Sequence, residues 1–241
     1  LAGKGQIHGG KVSTQTGLSG ISGLAEEVII ARDIMLAESA GARLHIAHIS
    51  TAKSLELVRA AKEKGLPVTC EVTPHHLVLN EEACLTFDTN TKMKPPLRSE
   101  SDRLACVQAL NDGLIDCIAT DHAPHADFEK EREFDHAPFG IIGFETAFAV
   151  IYESLVLKGK MSLQTLVDSL TIRPARVLNL PGGELKTGAM ADLTIIDLKG
   201  RTQLNKDNIA SRSKNSPWLD REMPSRVRYT IVGGSISYQD E

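Results

Sequence analysis

Three apolar runs in this chain each end in side chains capable of chemistry, and stretches with helical spacing lie between them. "ARLHIAHIS" (42–50) alternates apolar and polar residues like a half-buried strand, and "LPVTCEVTP" (66–74) and "LIDCIATD" (114–121) are strand-like runs. "TAKSLELVRAAKEKG" (51–65) and "SESDRLACVQALNDG" (99–113) are predicted helices, with Thr51 and Ser99 as N-caps and Gly65 as a stop. Residues 24–40 precede them, with apolar side chains at 24, 28, 31 and 35 on one helical face and Gly41 as the stop. Strand and helix alternate, which argues for parallel strands with helical crossovers.

The C-terminal ends of these strands carry His48, His75 and His76, and Asp121. In (β/α)8 barrels that edge holds the active site. Three strands cannot close a barrel, which takes about eight. The pattern therefore fits an open doubly wound sheet or part of a larger barrel.

Beyond residue 144 the pattern stays helical through "FETAFAVIYESLVLKG" and "SLQTLVDSL", and Pro174 opens "PARVLNL". From "PGGELKTGAMADLTIIDL" (181–198) glycines punctuate β-rich runs, and "RVRYTIVGGSISY" (226–238) reads as a hairpin around Gly233-Gly234. A boundary near 183 follows, with an α/β part at 1–183 and a small β-rich part at 184–241.

A length of 241 residues suits one large domain, or one with a small second one. Net charge is −4 with the two signs interspersed, so no basic stripe exists to neutralise nucleic-acid phosphates. No apolar run reaches the roughly 18 residues of a membrane span. The opening "LAGKGQIHGGKVSTQTG" shows no targeting pattern and reads as a polar loop entered midway. Cys70, Cys84, Cys106 and Cys117 lack CxxC spacing, which favours reduced, buried thiols in a cytoplasmic protein over a zinc knuckle or disulfide framework.

Imidazole nitrogen and carboxylate oxygen are common ligands of catalytic zinc, which lowers the pKa of a bound water to near 7. His48 and Asp121 lie at separate strand ends and are candidates to share one ion, and Asp121 is also placed to move a proton. A lone strand-end histidine is more often a structural, hydrogen-bonded residue. Asp121 followed by His122 and His125 is harder to read that way. Adjacent His75 and His76 on a strand would point to opposite faces, so at most one would face a site. His8, His45 and His136 read as structural or solvated, "EKERE" (129–133) as a solvated face, and Gly9-Gly10 lacks the spacing of a nucleotide-binding loop.

"IATDHAPH", "EVTPHHL", "KMKPPLRSESDR", "APFGIIGFETA" and "LKTGAMADLTIIDL" together resemble the bacterial dihydroorotases of the amidohydrolase superfamily. The resemblance runs along nearly the whole chain. It implies a (β/α)8 barrel with a β-rich domain built from both chain ends, and zinc-dependent, reversible cyclisation of N-carbamoyl-L-aspartate to L-dihydroorotate in pyrimidine biosynthesis. By this resemblance His48 is a metal ligand and Asp121 both a metal ligand and the catalytic acid/base. His125 contacts the substrate carboxylate, and Phe139 and Gly140 contact the ring through their backbone. Lys94 stands where many relatives have a substrate-touching asparagine, and a lysine donates only, whereas an amide also accepts.

The resemblance further implies that the chain is the C-terminal part of the fold, with three barrel strands and the C-terminal half of the β-domain. The HxH pair and the remaining ligands fall earlier in the family's sequence, so residues 1–241 alone are expected neither to close a barrel nor to bind zinc tightly. Partners expected on the same ground are a small-molecule substrate, a second copy in a homodimer, and aspartate transcarbamoylase. The competing readings are a hydantoinase, dihydropyrimidinase or allantoinase, which share the barrel and metal chemistry, and a non-catalytic relative kept for assembly.

Overall fold

Parallel pairing begins with the shortest elements. The computed structural model describes residues 1–240. In it β1 (Ile7–His8) and β2 (Gly20–Ile21) pair in parallel on either side of helix α1 (Lys11–Thr16). Helix α2 (Leu24–Ala40) then leads to β3 (Leu44–Ile46), helix α3 (Ala52–Glu63) to β4 (Val68–Val72), and α4 (Pro74–Val78) and α5 (Glu100–Asn111) to β5 (Cys117–Ile118). Strands β3, β4 and β5 form one parallel sheet in sequence order, with Ile46 opposite Cys70 and Val72 opposite Ile118. The ladder runs on past the strand ends, where Ile49 N–H donates to Glu71 O at 2.9 Å and Ala119 N–H to Val72 O at 3.1 Å. All three strands therefore present their C-terminal ends, and the residues after them, along one edge.

Local chemistry accounts for most of these elements. Thr51 caps α3 by accepting from Ser54 N–H, and Ser99 caps α5 by accepting from Asp102 N–H, as the sequence predicts. Leu55, Val58 and Ala61 form the buried face of α3, each large side chain contributing about 1.5–3 kcal/mol. In β4 the alternate residues Val68, Cys70 and Val72 are buried, while Thr69 and Glu71 lie on the other face and bond His45 at 2.8 and 3.1 Å.

Helix α2 departs from expectation. Ile30 and Ile34 are its buried residues, whereas Leu24, Val28 and Met35 of the predicted core face are at least half exposed. Apolar triplets at 28–30 and 34–36 make the helix apolar around much of its girth, so tertiary packing on α3 and β3 selects the buried side.

His75 and His76 also differ. Pro74, at the first helical position, and the Thr73 cap turn the chain into α4 directly after β4, so the strand rule of opposite faces does not apply and both rings are buried. The "EKERE" stretch is only partly a solvated face, because α6 (Asp127–Lys130) buries Lys130.

Helix α7 (Ala147–Ile151) runs into a π-helical turn at Tyr152–Val156, followed by α8 (Leu163–Leu170) and α9 (Ile172–Val177). Pro174 lies inside α9 rather than opening it. The last three strands, β6 (Leu193–Gln203), β7 (Glu222–Val232) and β8 (Ser235–Gln239), form an antiparallel sheet, and the predicted hairpin pairs Val232 with Ser235 around Gly233-Gly234. The β6–β7 connection returns to the α/β part, since Leu204, Ile209, Trp218 and Met223 join its core. All four cysteines are free and buried, and burial pushes the Cys70 thiol up to about 12. Among the described residues no helix is long and apolar enough to cross a membrane.

Burial also pushes the His76 imidazole down to about 4 and holds His75 well below its usual range. The neutral His76 ring accepts from Thr73 Oγ1 at 2.8 Å through Nδ1 and donates to Pro95 O at 3.0 Å through Nε2. Between pH 6.5 and about 4 the unfolded chain binds protons that the folded chain refuses, so stability is full above that window and falls as pH drops through it. One such histidine removes about 1.4 kcal/mol per pH unit there. Urea midpoints measured from pH 7 to 4 should show this slope, and His76→Gln should reduce it while His75 keeps its own share.

Candidate active site

His48 and Asp121 follow the two outer strands of the β3–β4–β5 sheet, and both have positive φ, 39° and 48°. Left-handed backbone is uncommon for residues other than glycine, and it persists where the surroundings hold it. For His48 the surroundings are visible. The Glu26 carboxylate, from the first turn of α2, accepts Ser50 N–H at 2.9 Å, Thr51 N–H at 3.2 Å and the Ser50 hydroxyl. Arg98 pairs with the same carboxylate at 3.4 Å, donates to Ser50 Oγ at 2.9 Å and Ile21 O at 3.2 Å, and contacts His8 Nδ1 at 3.2 Å. His8 is held below its ordinary pKa, first by burial and then by this guanidinium.

His48 Nδ1 is buried and has no hydrogen-bond partner. An imidazole nitrogen shut from solvent and left unpaired suits a metal ligand, since native interiors rarely leave such atoms unsatisfied. Among the described residues no group of three or more His, Cys, Asp or Glu is placed to hold a metal ion. A catalytic zinc site normally takes three donors from protein, more than His48 and Asp121 supply between them.

Beside His48 lies a cavity of about 570 Å³, lined by the inner side of α2, strand β3 and the Lys94–Arg98 segment. Lys94 connects it to the other candidates, because its ammonium stands 5.3 Å from the centre of the Phe139 ring. Asp121, His125, Phe139 and Gly140 lie outside the cavity lining.

The residues from Asp121 to Phe144 fold back on themselves. Ala123 N–H donates to Ile141 O at 2.8 Å, and Gly143 N–H to His122 Nδ1 at 3.0 Å, with the His122 ring stacked on Phe144 at 3.9 Å. A carbonyl only accepts, so the 2.8 Å contact between His125 Nε2 and Phe139 O places the proton on Nε2. His125 Nδ1 then faces Glu129 at 3.9 Å. Gly140 N–H is committed to Lys92 O at 2.8 Å. The two backbone groups expected to touch a ring are therefore partly engaged inside the protein.

Three residues here escaped the sequence reading. Lys92, which is 1% exposed, donates to Phe134 O, Asp135 O and Ala137 O at 2.6–3.1 Å. Lys130 donates to Thr89 O, Pro138 O and Gly140 O at 2.7–3.1 Å, and burial pushes its ammonium down to about 8. Asn215, from the β6–β7 connection, bonds Ala123, His125 and Gly140. Lysines are ordinarily solvated and no local pattern marks one that caps carbonyls, so the signal was absent for these two. Asn215 has no sequence neighbour with a role.

The profile of the amidohydrolase family matches residues 6–236. This chain belongs to the amidohydrolase family. The chain is 52% identical over 240 residues to a dihydroorotase of Endomicrobium trichonymphae, an alignment taking in 99% of this chain and 57% of that protein. It is 48% identical over 240 residues to a dihydroorotase of Carboxydothermus hydrogenoformans, covering 99% of this chain and 56% of the relative. Among solved structures it is similar to the L-hydantoinase of Arthrobacter aurescens, with a TM-score of 0.83 and 30% identity over 88% of this chain and 48% of that one. The D-hydantoinase of a Thermus species superposes at 23% identity with a TM-score of 0.82 over 96% of this chain and 52% of that one, a likeness that shows the shared α/β fold. The chain spans somewhat over half the length of the curated relatives it matches.

The fold favours glycine at 140. Its φ is 101°, and a Cβ there would stand 2.7 Å from Ala123 Cβ. Gly140→Ala should destabilise the fold by about 1–3 kcal/mol through left-handed strain and overpacking. Equilibrium urea denaturation checks this, and an unchanged midpoint would show that the loop yields freely.

Proposed function

We propose that this chain is the C-terminal part of a dihydroorotase that interconverts L-dihydroorotate and N-carbamoyl-L-aspartate in pyrimidine biosynthesis. The observation that carries the catalytic reading is the pair His48 and Asp121, both left-handed at strand ends, with His48 Nδ1 buried and unpaired. The substrate choice rests on identities of 46–52% to proteins named dihydroorotase, against 22–30% to the hydantoinases and dihydropyrimidinase. In this reading β3–β5 are three strands of an eight-stranded barrel, and the division near residue 183 separates it from the β-rich segment. The exposed side of α2, with Leu24, Val28 and Met35, fits burial against further barrel. Four free, buried thiols favour a reducing, cytoplasmic setting.

His48 and Asp121 would hold zinc together with ligands from the remainder of the protein. Zinc, when bound, polarises the amide carbonyl and makes water a better nucleophile near neutral pH. Asp121 takes the proton from the attacking water and delivers it to the ring nitrogen as the C–N bond breaks, and the reverse transfer serves cyclisation. His125 has Nε2 committed to Phe139 O, so its remaining nitrogen for the substrate carboxylate is Nδ1, which donates only when the ring is charged. Lys94 adds a cation beside the Phe139 ring. The Phe139 and Gly140 backbone then bounds the ring site with the acceptor capacity left over from its internal bonds.

Two variants of the full-length protein test this reading. Asp121→Asn keeps shape and removes the base, so turnover should fall by at least about 10²-fold with the fold intact. Near-native turnover with metal still bound would assign the proton transfer to another group.

His125→Ala separates dihydroorotate from uncharged rings such as dihydrouracil. A charge-assisted contact to the carboxylate is worth about 1.5–3 kcal/mol, so kcat/KM should drop about 10- to 150-fold on dihydroorotate and far less on any residual dihydrouracil activity. Equal losses would place the histidine in service of the fold, and an unmodified enzyme preferring dihydrouracil would remove the dihydroorotase assignment.

A further inference from the structure

The β6–β7 connection leaves its sheet and reaches the folded-back segment of the candidate site through one buried side chain. Asn215 is 4% exposed. Its Oδ1 accepts His125 N–H at 3.2 Å, and its Nδ2 donates to Ala123 O at 2.9 Å and to Gly140 O at 3.3 Å. Its own carbonyl accepts Ile142 N–H at 3.0 Å. One residue therefore joins both limbs, Ala123–His125 and Gly140–Ile142, from 92 positions away at Ala123 and 75 at Gly140. The same connection is anchored nearby, where Glu145 accepts Ala210 N–H at 3.0 Å and Ser211 N–H at 3.1 Å.

An amide suits this position better than other groups of its size. The two limbs present one donor and two acceptors, and an asparagine side chain supplies an acceptor and two donors. An aspartate would still accept from His125 N–H, but would turn a carboxylate oxygen toward two carbonyls. An alanine would leave His125 N–H and Ala123 O unpaired in a buried place, and Gly140 O with Lys130 alone.

We propose that Asn215 is a positioning residue, which sets His125 and Phe139–Gly140 against each other at the spacing the substrate requires. Resting on the dihydroorotase reading, this makes the small β-rich part a determinant of substrate grip. Asn215 touches neither reacting atoms nor metal ligands, so its effect passes through the limbs it joins. Displacement of a positioned group by about 1 Å is enough to lower catalysis by two orders of magnitude.

The test compares the full-length protein with its Asn215→Asp and Asn215→Ala variants. Steady-state kinetics on dihydroorotate, zinc content by elemental analysis and amide hydrogen exchange across residues 121–143 are measured on each. Zinc content should be unchanged, KM should rise by about 10-fold or more with a smaller fall in kcat, and the amides of His125 and Ile142 should exchange faster. Asn215→Asp should retain more His125 protection than Asn215→Ala, because it keeps that one acceptor. Unchanged KM, or a parallel loss of kcat and bound zinc, would overturn the proposal in favour of general stability. An unmodified protein without activity on dihydroorotate would sink the functional reading alone, and unaltered exchange in both variants would still refute the clamp.

Discussion

The buried pair of Glu26 and Arg98 is the contact on which the strand edge depends. Their side chains are 10% and 2% exposed, and between them they bind α2, the turn after β3, the β2 backbone and the segment leading into α5. Charges this far from water are tolerated only when paired and hydrogen-bonded, and Ser50 completes the set by bridging both partners. Removing one member would strand the other, a loss of about 3–5 kcal/mol. Because Glu26 accepts the two amides directly after Ile49, the pair also fixes the turn that bears His48. Stability and the placement of a candidate ligand are here one interaction.

The candidate substrate segment is held by a different device. Lys92 and Lys130 spend their ammonium protons on backbone carbonyls, six in all, rather than on carboxylates. Cations satisfied by carbonyls alone lack the full compensation of an ion pair, in keeping with the lowered Lys130 pKa. What they achieve is geometric. Irregular backbone around Phe139 has few ladder partners, and buried carbonyls must be satisfied by something. The long, flexible side chains of Lys92 and Lys130 can reach them where backbone ladders cannot.

Some of this was legible in advance. Thr51, Ser99 and the glycine stops declared the helices, and the alternation of runs declared a parallel sheet with His48 and Asp121 on its C-terminal edge. Those are local signals, readable within a few residues. The face of α2 was misread because Val28, Ile29 and Ile30 offer competing apolar sides. His75 and His76 were misread because one proline and one threonine cap end β4 sooner than a strand rule assumes.

By itself the sequence determined which residue types stand at the strand ends, the alternation of strand and helix, and the motifs shared with the family. Only the tertiary structure decided that His48 Nδ1 is unpaired, that Lys92 and Lys130 are buried, and that Asn215 meets His125. The reason is range. Capping, alternation and turn chemistry act over a few bonds and leave a mark in the order of residues. Pairing across ninety residues depends on where the β6–β7 connection lands, and that is settled by Ile209, Trp218 and Met223 entering a shared core, whose apolar attraction carries no direction in the sequence.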